Sequence, residues 1–396
     1  MRINKNIVLL YIFSFFKNFL IFGAVSVPFY LHKAGLDYKG MFILEAVFSI
    51  GMVVFEIPTG IIADKFGRKI SLLLGTLVFG GSFFIFGFVP VFHILIVAQI
   101  ICALGMTMLS GADRALLYEV IQKSKASDKS GRIMARYDAF GTAGMLVAFP
   151  LGSLFVGSGI VSYTDALGLV FIATALAILL SGVFILFVTE DRGGIHSNTS
   201  ISSLQLGING FFYTFKHPKL RVFGLNYALI SSLTFFMFWF YQALLLKNHF
   251  PVTFLGFVAS GFNFTAMILL FFTPFFEKKP GIKNTLFLSS LIPGVLYILS
   301  SFIPGVFMAF IAIFGVTNFR MLRMPMLNSL MNKHIEDGNR ATVLSGISMI
   351  ERLSTTLLYP IVGMLTDISL SISFLVLGII TVILSVLLRV EEETLV

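Results

Sequence analysis

The stretch Glu56-Ile57-Pro58-Thr59-Gly60-Ile61-Ile62-Ala63-Asp64-Lys65-Phe66-Gly67-Arg68-Lys69 closes one long apolar run and opens the next. Upstream, residues 40–62 carry only Glu45 and Glu56 as charges, and downstream residues 70–89 carry none. Two runs of about 20 apolar residues separated by a short basic cluster read as two membrane spans joined by a tight loop. Within the loop, Gly60 and Gly67 permit close helix packing and a sharp turn. Asp64 can sit near a helix N-terminus, where the macrodipole favours an anion, and Arg68 and Lys69 can face an anionic leaflet or bind a carboxylate.

Working outward, the pattern repeats along all 396 residues, of which 57% are hydrophobic and 12% charged, with a mean hydropathy of +0.95. A soluble chain carries roughly 25% charged residues, so a soluble enzyme and a disordered scaffold are both excluded. Cutting the chain at turn residues and charge clusters predicts twelve spans: 7–30, 40–62, 70–89, 94–118, 134–157, 166–188, 222–245, 253–275, 285–303, 306–327, 342–365 and 370–388. The first run is read as a span and not a signal peptide, because it continues past signal-peptide length without a small-residue cleavage pattern. Cys102 is a small core residue in an apolar run. His93, His249 and His334 fall at or beyond span ends, with no metal-binding spacing, so neither a metal nor a cofactor is expected.

The net charge of +9 is mostly a topology signal and not a sign of a nucleic-acid partner. With the N-terminus inside, 20 of the 28 basic residues fall in cytoplasmic segments, three (Lys33, Lys39, Lys247) outside, and five within spans. That asymmetry predicts both termini on the inner side and an even number of crossings. The hydrophilic stretch 189–221 divides the chain into six-helix bundles 1–188 and 222–396. Its segment 201–215 has apolar residues on roughly helical spacing, which suits either an interfacial amphipathic helix or a plain linker.

Three landmarks recur at a near-constant offset: Asp64 with Glu277, Arg132 with Arg340, and Phe149-Pro150 with Tyr359-Pro360, at 213, 208 and 210 residues. Two homologous parallel halves explain this, and such halves are a transporter architecture with a site near the bilayer midplane. Here the residues carry a resemblance. The 56–69 stretch resembles the loop signature between helices 2 and 3 of the major facilitator superfamily. Residues 110–119 and 340–345 are similar to a bacterial branch of it grouped with drug efflux proteins of the drug:proton antiporter kind. The resemblance implies an all-α integral membrane fold of twelve helices, commonly monomeric. It also implies that Asp64 and Arg68 form a conformational latch with an acid at the cytoplasmic end of span 4, for which Glu119 is the match. The same antiporters carry an arginine early in helix 4, whereas residues 94–103 hold none; Gly144, Pro150 and Gly152 keep part of their helix 5 pattern.

An ionisable group inside a span costs at least about 2.5 to 3.5 kcal/mol at the membrane centre, so each one points to function. They are Lys17 in span 1, Glu45 and Glu56 in span 2, Asp113 and Arg114 in span 4, Arg320 and Arg323 in span 10, and Glu351 and Arg352 in span 11. Depth in antiparallel neighbours suggests a Lys17–Glu56 ion pair and places Arg320 or Arg323 near Glu351. Asp113 and Glu45 look least paired and rank first and second as proton carriers, ahead of Glu56, with Glu351 a further candidate. The cavity candidates are Lys17, Asn18, Trp239, Tyr241, Gln242, Asn263, Arg320, Arg323 and Arg352; Trp239 and Tyr241 equally suit an interfacial aromatic belt.

The leading expectation is a secondary exporter of small amphipathic compounds, driven by protons across the lipid bilayer. No nucleotide-binding loop is present to make ATP the direct energy source. Symport of an anionic metabolite is the alternative in the same class, and a lipid enzyme or a non-transporting receptor stand in others.

Overall fold

The computed structural model of the chain describes residues 4–124, 127–190, 203–335 and 339–390. The basic residues Arg2, Lys125 and Arg192 counted above, and residues 191–202 of the linker, lie outside them. Among the described residues the chain is all helix, with no strand.

Among the described residues, eleven helices are long and apolar enough to cross a membrane. Span 1 is Lys5–Ala24, span 2 Tyr38–Phe66, span 3 Arg68–Phe88, span 4 Phe92–Lys123, span 5 Ser130–Gly157 and span 6 Tyr163–Leu186. Span 7 is Pro218–Lys247, span 8 Val252–Phe271, span 9 Ile282–Phe302, span 10 Val306–His334 and span 12 Leu370–Leu387. The remaining helix, span 11, is Arg340–Ile368; its 29 residues exceed the length a crossing needs, but Arg340, Glu351, Arg352 and Asp367 dilute its apolar character. The twelve spans of the sequence reading are all present, with ends moved by a few residues.

The internal repeat is visible in the backbone. Gly67 has φ +99° and Gly281 φ +82°, and each forms the N-cap of the following span. Only glycine enters that region cheaply, so both halves turn between their second and third spans on the same device. Pro150 and Pro360 likewise lie inside spans 5 and 11.

The chain forms two compact units. Unit 1 comprises Met1–Leu36, Leu44–Ser200 and Val252–Ser260, and unit 2 comprises Asp37–Ile43, Ile201–Pro251 and Gly261–Val396. Lipid is as apolar as leucine, so within each unit the helices associate by close packing at small residues. In unit 1, span 5 lies against span 1: a Cβ at Gly144 would sit 2.3 Å from the Phe15 carbonyl oxygen, and one at Gly152 1.9 Å from that of Ile21. In unit 2, the linker stretch forms the helix Ser203–Lys216. It is not simply laid on a membrane surface, because Gly210 and Gly346 bring it against the first turns of span 11, with Phe212 60% exposed on its other side.

Three spans are interrupted. Span 1 breaks at Asn18, whose amide donates to Ser14 O at 2.8 Å. Span 4 breaks at Ser110-Gly111, where Gly111 has φ +82°. Span 7 is divided at Phe236.

The Gly152 contact gives a direct test. Gly152→Ala forces a methyl into backbone that cannot retreat and is expected to cost about 1 to 3 kcal/mol. Gly81→Ala, in span 3 with nothing within 4 Å of the added carbon, leaves stability unchanged. Thermal midpoints of the purified protein in detergent check both; equal midpoints for the two variants would refute the packing.

Candidate functional site

The polar groups within the spans gather in separate clusters inside each unit. In unit 1, Lys17 ends the first helical segment of span 1, and Asp113 lies in the first turn after the break in span 4. Lys17 Nζ pairs with Asp113 Oδ2, with the two side chains only 12% and 6% exposed. The Tyr137 hydroxyl donates to the same oxygen at 2.8 Å, and the Arg114 backbone N–H donates to Oδ1. The Arg114 side chain turns outward to Asp138 at 2.9 Å. This corrects two expectations: Lys17 pairs with Asp113 and not Glu56, and Asp113 is well partnered. The cause is topology, since span 1 packs chiefly on spans 5 and 6 and on the second half of span 4. Glu56 is exposed, with no ion pair among the described residues.

A second cluster in unit 1 is built on Glu45, which is partly buried in span 2. Its Oε1 accepts from the Tyr30 hydroxyl at 3.2 Å and from Gln99 Nε2 at 3.3 Å, and Gln99 also reaches the Tyr30 oxygen at 3.4 Å. No Lys or Arg forms an ion pair with Glu45 among the described residues.

The loop after span 2 is organised around Arg68. Its guanidinium pairs with Glu119 of span 4 and donates to Ala115 O at 3.1 Å. The first amides of span 3 are capped by Glu190, which accepts from Arg68 N at 2.8 Å and Lys69 N at 3.1 Å. The anion therefore expected at a helix N-terminus is present, but it is Glu190 and not Asp64. Lys69 Nζ in turn donates to Leu186 O, at the C-terminal end of span 6, at 2.8 Å. Asp64 is exposed with no ion pair among the described residues, and a Cβ at Gly60 would meet nothing within 4 Å. The close packing expected at Gly60 and the charge cluster through Asp64 are not formed here.

In unit 2, spans 7, 10 and 11 bring two arginines together with one acid. Arg320 Nη2 lies 3.7 Å from Glu351 Oε1, as depth along the helices suggested, and its Nε donates to Ser231 O at 3.3 Å. Arg323, one turn on, is fully buried; one Nη2 N–H reaches Asn226 Oδ1, while Nε and Nη1 have no partner among the described residues. Arg320 also lines a cavity of about 30 Å³ with Thr234, Phe235, Phe238, Phe262 and Asn263.

Trp239 is buried inside unit 2, edge-on to Phe238 and Phe42, and Tyr241 and Gln242 are buried beside it, so none of them forms an interfacial belt. Asn18 contributes to the span 1 break against Gly141, and Arg352 is exposed. Sequence reasoning missed Tyr30, Gln99, Tyr137, Asn226 and Glu190. Gln99 and Asn226 stood out as lone amides in apolar runs; Glu190 carried no comparable signal. Among the described residues, no group of three or more His, Cys, Asp or Glu is placed to hold a metal ion.

The model of the Major Facilitator Superfamily matches residues 7–355. The chain is 27% identical over 271 residues to the uncharacterized MFS-type transporter YxaM of Bacillus subtilis (strain 168), covering 66% of this chain and 64% of that one. It is 28% identical over 134 residues to the quinolone resistance protein NorA of Staphylococcus aureus (strain MRSA252), covering 33% of this chain and 34% of NorA. The matches thus span less than two thirds of either relative's length. Among solved structures, the nucleoside transporter NupG aligns with a TM-score of 0.78 at 17% identity, over 98% of both chains. A bacterial homolog of the human lysosomal transporter Spinster aligns with a TM-score of 0.73 at 16% identity, over 97% of this chain and 94% of that one. At these identities the likeness is one of fold.

The Lys17–Asp113 geometry yields a prediction. Lys17→Met strands a buried carboxylate and is expected to destabilise the protein by about 3 to 5 kcal/mol, whereas Lys17→Met with Asp113→Leu recovers most of that loss. Thermal midpoints of the two single variants and the double variant measure the coupling, and simple additivity would contradict the pair.

Proposed function

The chain belongs to the major facilitator superfamily, a family of transporters and not of enzymes, and from that premise we propose that it is a proton-coupled secondary exporter of amphipathic organic compounds. It works by alternating access as a monomer in the bacterial cytoplasmic membrane. Both termini lie inside, and residues 1–188 and 222–396 form the two moving halves joined by 189–221. The partial match to a quinolone resistance protein supports export of organic molecules, and the 20 to 3 bias of basic residues supports the orientation.

The observation that carries proton coupling is the Glu45 cluster. A carboxylate within a span whose hydrogen bonds come from a phenol and an amide has no cation to offset its charge. Taking up a proton removes the solvation penalty that such a group otherwise bears. Asp113 already shares its charge with Lys17, and Glu351 lies beside Arg320, which makes both better suited to holding helices together. Glu45 therefore leads as the proton carrier. Arg68, Lys69, Glu119 and Gly67, joined by Glu190, form the cytoplasmic latch that biases one conformation.

Proteoliposomes carrying an imposed pH gradient test the reading, with a trapped pH indicator and a panel of amphipathic organic cations, anions and neutral compounds. Wild-type protein gives compound-dependent proton flux opposite in direction to the exported compound. Glu45→Gln lowers gradient-driven flux at least about tenfold without changing membrane insertion or thermal midpoint, a loss of about 1.4 kcal/mol or more in the driving step. Wild-type flux rates in Glu45→Gln would remove Glu45 from the mechanism. Absence of gradient-driven movement for every compound in the wild type would remove export itself, and movement only with the gradient favouring uptake would establish symport.

A further inference from the structure

We infer that the cargo carries an anionic group, of the carboxylate kind, which docks on Arg320 in the cavity of unit 2 while its apolar body runs along Phe235 and Phe238. This rests on the reading of the chain as a transporter of amphipathic compounds and names the chemistry that one of its sites selects.

Spans 7, 10 and 11 enclose two guanidinium groups, Arg320 and Arg323, against one carboxylate, Glu351, so among the described residues this cluster holds an uncompensated positive charge. Arg323 is 0% exposed, and two of its nitrogens find no acceptor. A buried guanidinium in that state is held at a cost which an incoming anion reduces. Arg323 itself is closed off, whereas Arg320 opens onto the cavity.

The geometry at Arg320 leaves room for such a group. A guanidinium has five N–H donors in a fixed planar fork, matched to a carboxylate. Ser231 O takes Nε at 3.3 Å, and Glu351 stands 3.7 Å from Nη2, beyond hydrogen-bond reach, so the edge of the fork is not closed by a bidentate partner. The cavity of about 30 Å³ has room for a small polar head beside the guanidinium, since roughly 10 to 15 Å³ already holds a water molecule. Around it, Thr234 and Asn263 add polar groups, and the Phe rings supply an apolar wall. Phe235 already lies 5.3 Å from the Arg320 guanidinium carbon, a stacked cation that holds the fork in place. An organic cation at the same spot would meet the Arg320 guanidinium in a cluster of net positive charge.

The chain's one tryptophan provides the readout, because Trp239 sits edge-on to Phe238, with ring centroids 5.4 Å apart. Full-length protein in detergent is titrated with 4-phenylbutyrate and, separately, with its neutral amide, following Trp239 fluorescence and the thermal midpoint. The wild type is expected to bind the carboxylate about tenfold or more tighter than the amide, the scale of a charge-assisted hydrogen bond. Arg320→Gln abolishes that preference while leaving amide binding in place, and Arg320→Lys keeps part of it. Equal affinity of the wild type for both compounds overturns the proposal without any variant being needed, as does an undiminished preference in Arg320→Gln. A carboxylate preference in a protein that moves nothing across proteoliposomes would sink the export reading and keep the site. Gradient-driven transport that ignores the carboxylate would sink the site and keep the export reading.

Discussion

A charged side chain inside hydrocarbon has no water to turn to, and its neighbours must supply everything that water would have supplied. That constraint decides which helices of this protein touch. Lys17 and Asp113 bring the first segment of span 1 to the second segment of span 4, and Tyr137 ties span 5 to the same carboxylate. Glu45, Tyr30 and Gln99 join span 2, the chain between spans 1 and 2, and span 4. Arg320 and Arg323 do the same for spans 7, 10 and 11. Packing between spans is close at small residues, but packing alone would tolerate sliding; the ionic and amide contacts set depth along the helix axes.

The two halves share a backbone plan and differ in chemistry. Gly67 and Gly281 make the same turn, and Pro150 and Pro360 lie inside the corresponding helices. Side chains diverge from there. Unit 1 holds a carboxylate whose hydrogen-bonding neighbours are neutral, and unit 2 holds a guanidinium with donors to spare. A duplicated scaffold thus carries an acid with a neutral shell in one half and an arginine-lined pocket in the other.

The fold was legible because its signals are local and strong. Runs of apolar residues, basic clusters and two glycines at a fixed offset needed no knowledge of which helix neighbours which. The contents of the site were legible only as a set. Most of the charges could be named from the sequence, Asp138 and Glu190 excepted, and the Arg320–Glu351 approach followed from depth, but Lys17 was matched to Glu56 because chain order suggested span 2 as its neighbour. Pairing depends on bundle topology, which hydropathy does not encode. Glu190 illustrates the other limit: it lies just past a span, in a stretch that reads as ordinary linker, and only folding brings it to the N-terminus of span 3.

The interruptions in the helices explain why polar chemistry collects where it does. A break frees backbone donors and acceptors that a membrane tolerates only where protein or a cavity satisfies them. Lys17 immediately precedes the break at Asn18, Asp113 immediately follows the one at Gly111, and Tyr30 lies in the irregular turn Phe29–Lys33 beyond span 1. The break at Phe236 sits among Thr234, Phe235 and Phe238, which line the Arg320 cavity. A continuous helix would carry these side chains around its axis at a fixed 100° per residue. The interruption lets two consecutive segments aim their polar residues independently, one toward a partner and one toward a cavity. The breaks at Asn18, Gly111 and Phe236 therefore help a chain that is 57% hydrophobic to hold several distinct polar sites within its spans.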